Sequence, residues 1–179
     1  MKEKLFRTLD SPVGTVTVAG DGTVVTNLRM TDQTHPPDGQ ETWRHEPTAF
    51  VDAVDQLTAY FEGELTRFDL TLLTEGSPFQ HRVWNALCEI PYGETRSYGE
   101  IARQVGSPGA ARAVGLANGL NPVAIIVPCH RVIGADGSLT GYGGGLERKV
   151  TLLQLERDHA TPRLALPGLP GGPALPESA

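Results

Sequence analysis

Residues 123–134 read VAIIVPCHRVIG, and this segment constrains the chain more than any other. Its apolar, mostly β-branched start predicts a buried strand. Pro128 cannot donate to a sheet ladder and would end that strand, presenting Cys129 beside His130 and Arg131. A thiol is a nucleophile only as thiolate, and a neighbouring imidazole or guanidinium lowers its pKa. Adjacent side chains seldom meet with good hydrogen-bond geometry, so His130 would serve Cys129 through a bridging water. Such a base needs a carboxylate to fix its tautomer. In LERKVTLLQLERDH, Leu146, Val150 and Leu153 mark one helix face, and Glu156 falls one turn further along it. Glu147 and Asp158 read as solvated charges. The bland alternative stays open here: a lone cysteine in an apolar segment is usually an inert core residue.

The remaining reactive residue types carry less. Cys88 sits inside an apolar helix with no cation beside it and reads as inert. His81 and His159 fall on helix surfaces, and His35 and His45 in polar loops. There is no CxxC or HExxH, so neither a metal nor another cofactor is expected. The N-terminus lacks an apolar signal core, and no stretch approaches the roughly 20 apolar residues of a membrane span. Two cysteines suit a reducing compartment, so the expected location is the cytoplasm.

The pattern of elements predicts an α+β chain. LFRTL, GTVTVAG and TVVTNLRM read as strands, with Asp21-Gly22 as a hairpin turn. After a Pro/Asp/Gly-rich loop (31–47), AFVDAVDQLTAYFEGE carries Phe50, Val54, Leu57 and Phe61 at helical spacing, and RFDLTLL reads as a further strand. This first part, 1–75, predicts a small antiparallel sheet with a helix across it and holds no chemical constellation. In the second, 76–159, SPFQHRVWNALCEI places Phe79, Val83, Trp84 and Leu87 on one helix face. Ser97 and Glu100 form a capping box opening a short helix that Gly106 ends. Ser107-Pro108 opens the next, GAARAVGLANG. The pair reads as a helix-turn-helix, and an ordinary helical hairpin fits as well. The second helix surrounds a single Arg112 with Ala110, Ala111, Ala113, Gly115 and Ala117. A helix so poor in bulk can pack closely on the protein core or enter a nucleic-acid groove with one cation projecting. The Pro/Gly-rich residues 160–179 read as a disordered tail.

The net charge is −6, which at face value opposes a nucleic-acid partner. Partitioned, residues 1–75 carry 6 basic and 13 acidic side chains, whereas residues 76–159 carry 8 and 7. Residues 95–135 hold four arginines against Glu100 alone, a local +3. The acidity lies away from the cysteine, and non-specific DNA affinity is expected to be modest and salt-sensitive.

At PCHRVIG the sequence strongly resembles the 6-O-alkylguanine-DNA alkyltransferases. FQHRVWNALCEIPYGETRSYGEIA, GAARAVGLANGLNPVAIIVPCHRVIG and LTGYGGGLERKVTLLQLE follow that family in order and spacing over about residues 78–157. Residues 1–75 resemble its variable, RNase H-like N-terminal domain less specifically, and the C-terminal region is mainly helical with an active-site loop. The resemblance implies direct reversal: the damaged guanine leaves the duplex and Cys129 takes its alkyl group, with His130 as base through water and Glu156 orienting it. Asn121 matches the family's hinge, Arg112 the finger that fills the vacated stack, and Tyr98 the residue that helps rotate the nucleotide. Ala110, Ala111 and Gly115 lie on the helix that enters the minor groove. Tyr98, Val132, Tyr142, Gly143 and Gly144 fall at the substrate pocket, with the carbonyls of Cys129 and Val132 as acceptors for the guanine amino group.

The implied substrate is 6-O-methylguanine in double-stranded DNA, with 4-O-methylthymine taken less readily, and the implied state is a monomer, its cooperativity on DNA left open. Extrusion of a base costs a few kcal/mol, partly offset by the inserted wedge. Small groove-facing residues read little sequence, as a damage scanner requires. A thioether is a poor leaving group, so the protein is consumed after one turnover. Gly143 stands where some relatives have serine, which removes a hydroxyl contact. Zinc in some relatives is held by N-terminal cysteines, and both cysteines here lie beyond residue 75, so no such site is expected.

Two other functions compete. Damage-recognition relatives that do not transfer lack the cysteine of PCHR, and Cys129 argues against that reading. A Cys-His hydrolase would need an oxyanion hole and a separately placed histidine, and would leave Arg112 and Tyr98 unexplained.

Overall fold

A computed structural model describes residues 3–160. Three consecutive strands, β1 (Leu5–Leu9), β2 (Val16–Gly20) and β3 (Val25–Met30), form antiparallel ladders. Asp21 and Gly22 make the expected turn: the Asp21 carboxylate accepts from the N–H groups of Thr23 and Val24, and Gly22 takes φ 112°. A two-residue strand, β4 (Arg44–His45), joins β1 on its other side and runs parallel to it, so the sheet, in order β3-β2-β1-β4, is not wholly antiparallel. RFDLTLL is not a strand. It touches the sheet through one bridge, Leu72 to Val25, because the edge of β3 is already shared with residues 122–124.

Helix α1 (Val51–Phe61) covers the sheet with Ala53, Val54, Leu57 and Tyr60. Its C-terminus ends at Gly63, φ 77°, where a Cβ would lie 2.1 Å from the His159 ring. At Gly93, φ 78°, a Cβ would lie 2.7 Å from that of Ala160. These two glycines let α1 and the 91–94 turn approach the end of α5 (Leu146–His159), where Glu156 sits.

Helix α2 (Pro78–Cys88) starts with a capping box, Ser77 with Gln80, and its Trp84 donates to Ala117 O. α3 (Tyr98–Gln104) has the predicted Ser97–Glu100 box. α4 (Ala111–Gly119) begins later than expected. Ser107 does not cap it; residues 107–110 form a separate turn, closed by Ala110 N to Ser107 O, because Gly109 takes φ 86°. α3 and α4 pack together as the predicted pair of short helices.

The segment 123–127 is the main correction. It is buried throughout, as expected, but it is a tight turn and not a strand. Val123 bridges to Leu28 of β3, Ile125 takes φ 72°, and Val127 N returns to Val123 O. Asn121 closes the loop, donating to Val127 O and accepting from Val123 N. Side-chain composition here reports burial, while the Asn121 clip dictates the backbone path. Residues 161–179, which hold all but the first residue of the expected tail, lie outside the described residues. No helix among the described residues is long and apolar enough to cross a membrane.

Candidate active site

Residues Cys129–Arg131 form a single 3₁₀ turn, followed by β6 (Val132–Ile133). β6 pairs in parallel with β5 (Arg96–Ser97), which leads directly into α3. The cysteine turn and the start of the helix pair are thereby tied by backbone hydrogen bonds.

His130 and Glu156 are both fully buried, with Nε2 of the imidazole 2.7 Å from Glu156 Oε1. Arg131 grips the same carboxylate, Nε to Oε2 at 2.8 Å and Nη2 to Oε1 at 2.9 Å, and donates to Ile90 O. Gly93 N donates to Oε2 and the Tyr60 hydroxyl to Oε1, the latter at 2.7 Å. Burial alone would raise the Glu156 carboxyl, but hydrogen bonds and charge from His130 and Arg131 outweigh it and hold it at about 2. Glu156 is therefore ionised and acceptor-only. His130 must then carry its proton on Nε2, and Nδ1, which has no hydrogen-bond partner among the described residues, keeps a lone pair. Burial lowers the His130 pKa more than Glu156 raises it, so the imidazole rests neutral. A buried neutral imidazole with one nitrogen oriented and the other free is the arrangement of a general base.

Cys129 is 4% exposed. Burial pushes its thiol upward, against opposing influences from the Asn121 side chain, the Lys149 ammonium and Tyr142. The resting residue is a thiol, so reaction requires the proton to leave. Its carbonyl accepts from Asn118 Nδ2 and from Val132 N. Val132 O accepts from Lys149 Nζ at 2.5 Å.

Beside this cluster lies a cavity of about 410 Å³ lined by Thr34, Tyr98, Gly115, Gly119, Gly141, Tyr142 and Gly143. Tyr98 donates to Thr140 O at 3.0 Å, and a Cβ at Gly115 would touch its ring at 3.7 Å. Burial raises both the Tyr98 and the Tyr142 phenol, and the nearby Cys129 raises them further. Of the other expected pocket residues, Val132 and Gly144 do not line this cavity; both are buried, Gly144 against Met30 and Tyr142. Ala110 and Ala111 stand half-buried at the start of α4, and Arg112 is exposed, with no hydrogen bond or ion pair among the described residues.

Comparison with known proteins accounts for both parts of the chain. Residues 78–158 match the family model described as 6-O-methylguanine DNA methyltransferase, DNA binding domain, and residues 4–74 match its ribonuclease-like domain. The chain belongs to the methylated-DNA–protein-cysteine methyltransferases. The curated methyltransferase of Mycolicibacterium paratuberculosis is 66% identical over 161 residues, 90% of this chain and 97% of the relative. That of Methanosarcina acetivorans is 52% identical, over 84% and 97%. The crystal structure of Mycobacterium tuberculosis OGT in complex with DNA has a TM-score of 0.81 and 65% identity, covering 87% of this chain and 94% of that one.

Within this methyltransferase, four contributors were not legible as site residues. Tyr60 comes from the part of the chain that showed no chemical constellation. Arg131 was visible beside the cysteine, but not as a ligand of Glu156. Lys149 is fully buried against two carbonyls. Thr34 reaches the rim, its N–H donating to Gly143 O at 2.9 Å. Lys149 had a usable signal: it lies seven residues before Glu156 and one turn before Leu153. The buried face of α5 is Lys149, Leu152, Leu153 and Glu156, whereas Leu146 and Val150, expected on it, are about half exposed. Cys88 ends α2 at the surface, not inside it.

Proposed function

We propose that in this direct-reversal DNA repair methyltransferase Cys129 is the alkyl acceptor and His130 is the base. In this reading the Cys129 proton passes through a water to His130 Nδ1, and Glu156 stabilises the imidazolium that forms. Sγ then attacks the methyl carbon of 6-O-methylguanine; the S–C bond forms as the C–O bond breaks. The bonding pair stays on the base, which takes up a proton and becomes guanine. The imidazolium returns its proton to solvent, and the thioether remains. The observation that carries this reading is the buried His130, with Nε2 fixed on an ionised carboxylate and Nδ1 left as a lone pair.

The same reading divides the chain into residues 1–75 and a DNA-binding, alkyl-accepting part, 76–159, acting as a monomer in the cytoplasm. α4 enters the minor groove of alkylated duplex DNA with Ala110, Ala111 and Gly115 facing it. The exposed Arg112 fills the stack left by the flipped guanine. Tyr98, Tyr142 and Gly143 wall the pocket, Val132 O accepts from the guanine amino group, and Asn121 holds the hinge. Incubating excess protein with a duplex carrying 6-O-methylguanine and weighing the digested peptides tests it. One methyl is expected on the Cys129 peptide, none on Cys88, and none transferred beyond stoichiometry; methyl elsewhere, or repeated turnover, overturns the mechanism.

A further inference from the structure

Tyr60 belongs to α1, far in sequence from the cysteine turn, and is among the largest side chains with no exposure at all. Its ring packs edge-on against Phe61 and Tyr92, with Phe68 beside it. Phenylalanine would fill that apolar space equally well. What the tyrosine adds is one oxygen, and that oxygen lies 2.7 Å from Glu156 Oε1, the same carboxylate oxygen that His130 uses. Burial, then the charge of Glu156, raise the Tyr60 phenol well above its ordinary value, so it stays protonated and donates. The close approach is built in, because Gly63 and Gly93 leave room for α1 and the 91–94 turn to meet the last turn of α5.

We propose that Tyr60 is a positioning residue for the alkyl transfer: its hydroxyl holds Glu156 Oε1 against His130 and restrains the carboxylate's pull on the imidazole proton. The inference rests on the assignment of Cys129 and His130 above. A carboxylate oxygen that accepts three donors carries less free charge for each of them. Without the tyrosine oxygen, Oε1 would serve only His130 and Arg131, and the imidazole would become more basic. At mildly acid pH more His130 would then be protonated and unable to accept the Cys129 proton. The ribonuclease-like part would thus tune the base of a site it does not otherwise enter.

The test is Tyr60→Phe in a Cys88→Ser background, where Cys129 is the sole thiol. Alkylation of that thiol by iodoacetamide is followed from acid to alkaline pH, alongside methyl transfer from a 6-O-methylguanine duplex. The groups facing His130 and Glu156 are Arg131 and the adjoining Cys129 from the same turn, Lys149 from α5, Tyr92 from the loop after α2 and Tyr142 from the loop before α5. All are retained. The acid limb of both profiles is expected to move up by about half a unit to one unit, the worth of one hydrogen bond, with the alkaline plateau kept. Tyr92→Phe, which removes a hydroxyl with no hydrogen-bond partner among the described residues, is expected to leave the limb in place. Superimposable profiles, a loss uniform in pH, or a Tyr60→Phe chain that no longer folds would overturn the proposal and leave Tyr60 structural. Failure of the unaltered protein to methylate Cys129 would instead overturn the proposed function, while the iodoacetamide limb would still report on Tyr60.

Discussion

On one side Cys129 is backed by a closed polar cluster; on the other it adjoins a rim made largely of glycine. In the cluster, Glu156 receives His130, Arg131, Tyr60 and the Gly93 N–H, and its side chain is wholly buried. At the rim, Gly141 takes positive φ and Gly143 meets Thr34 across from the first part of the chain. Under the proposed function, the contrast follows from what each side would do. A base needs a fixed tautomer, and only an over-determined network of donors fixes one. A pocket that admits an extruded base needs room for a large planar ring, and backbone without side chains provides it.

If that contrast is right, damage to the cluster and damage to the rim should differ in kind. The largest effect is expected from Glu156→Gln. It leaves Arg131 as a buried cation without its carboxylate, which typically costs about 3–5 kcal/mol, and it lets the amide present the wrong group to His130. Urea unfolding should show the stability loss, and transfer to Cys129 should slow by orders of magnitude. A folded, fast Glu156→Gln protein would break the comparison.

Acid comes next. The Glu156 carboxyl is lowered from 4.5 to about 2 by folding. A depressed carboxyl stabilises the native state above its unfolded value, and that stabilisation is lost as pH falls from about 4.5 towards 2. Unfolding free energy should therefore drop through this window, and the drop should vanish in Glu156→Gln. The smallest effect is expected from Gly143→Ser. A Cβ there would lie 3.0 Å from Thr34 Oγ1, so the 31–34 loop must give slightly, at a cost of about 1 kcal/mol. Thr34→Ala in the same chain should recover it. The rate for bulky alkyl groups should change while the pH profile stays fixed. A pH shift on Gly143→Ser would show that rim and cluster are one unit.

Much of the second part was legible because its signals are local. The Ser97–Glu100 box, the Gly106 stop, the small-residue helix around Arg112 and the PCHR turn each lie within a few residues. Residues 123–127 misled because β-branched composition reports burial, and Ile125 could enter positive φ only once Asn121 had clipped the loop. On α5, spacing picks out Glu156 but puts Leu146 and Val150 on its face, because a lysine is not expected inside. Lys149 is buried because two carbonyls, of Val132 and Thr140, receive its ammonium.

By itself, the sequence determined the α+β class and the family, and it singled out Cys129, His130 and Glu156 as the candidate trio, since each rests on a short motif or on helical spacing. Only the tertiary structure decided what surrounds that trio. Tyr60 and Thr34 come from the first part of the chain, and Arg131 turns back from the cysteine to share Glu156. Such contacts join residues up to 109 positions apart, as Thr34 and Gly143 are. Periodicity carries no information over that separation, and what fixes them is the packing of one part of the chain on the other.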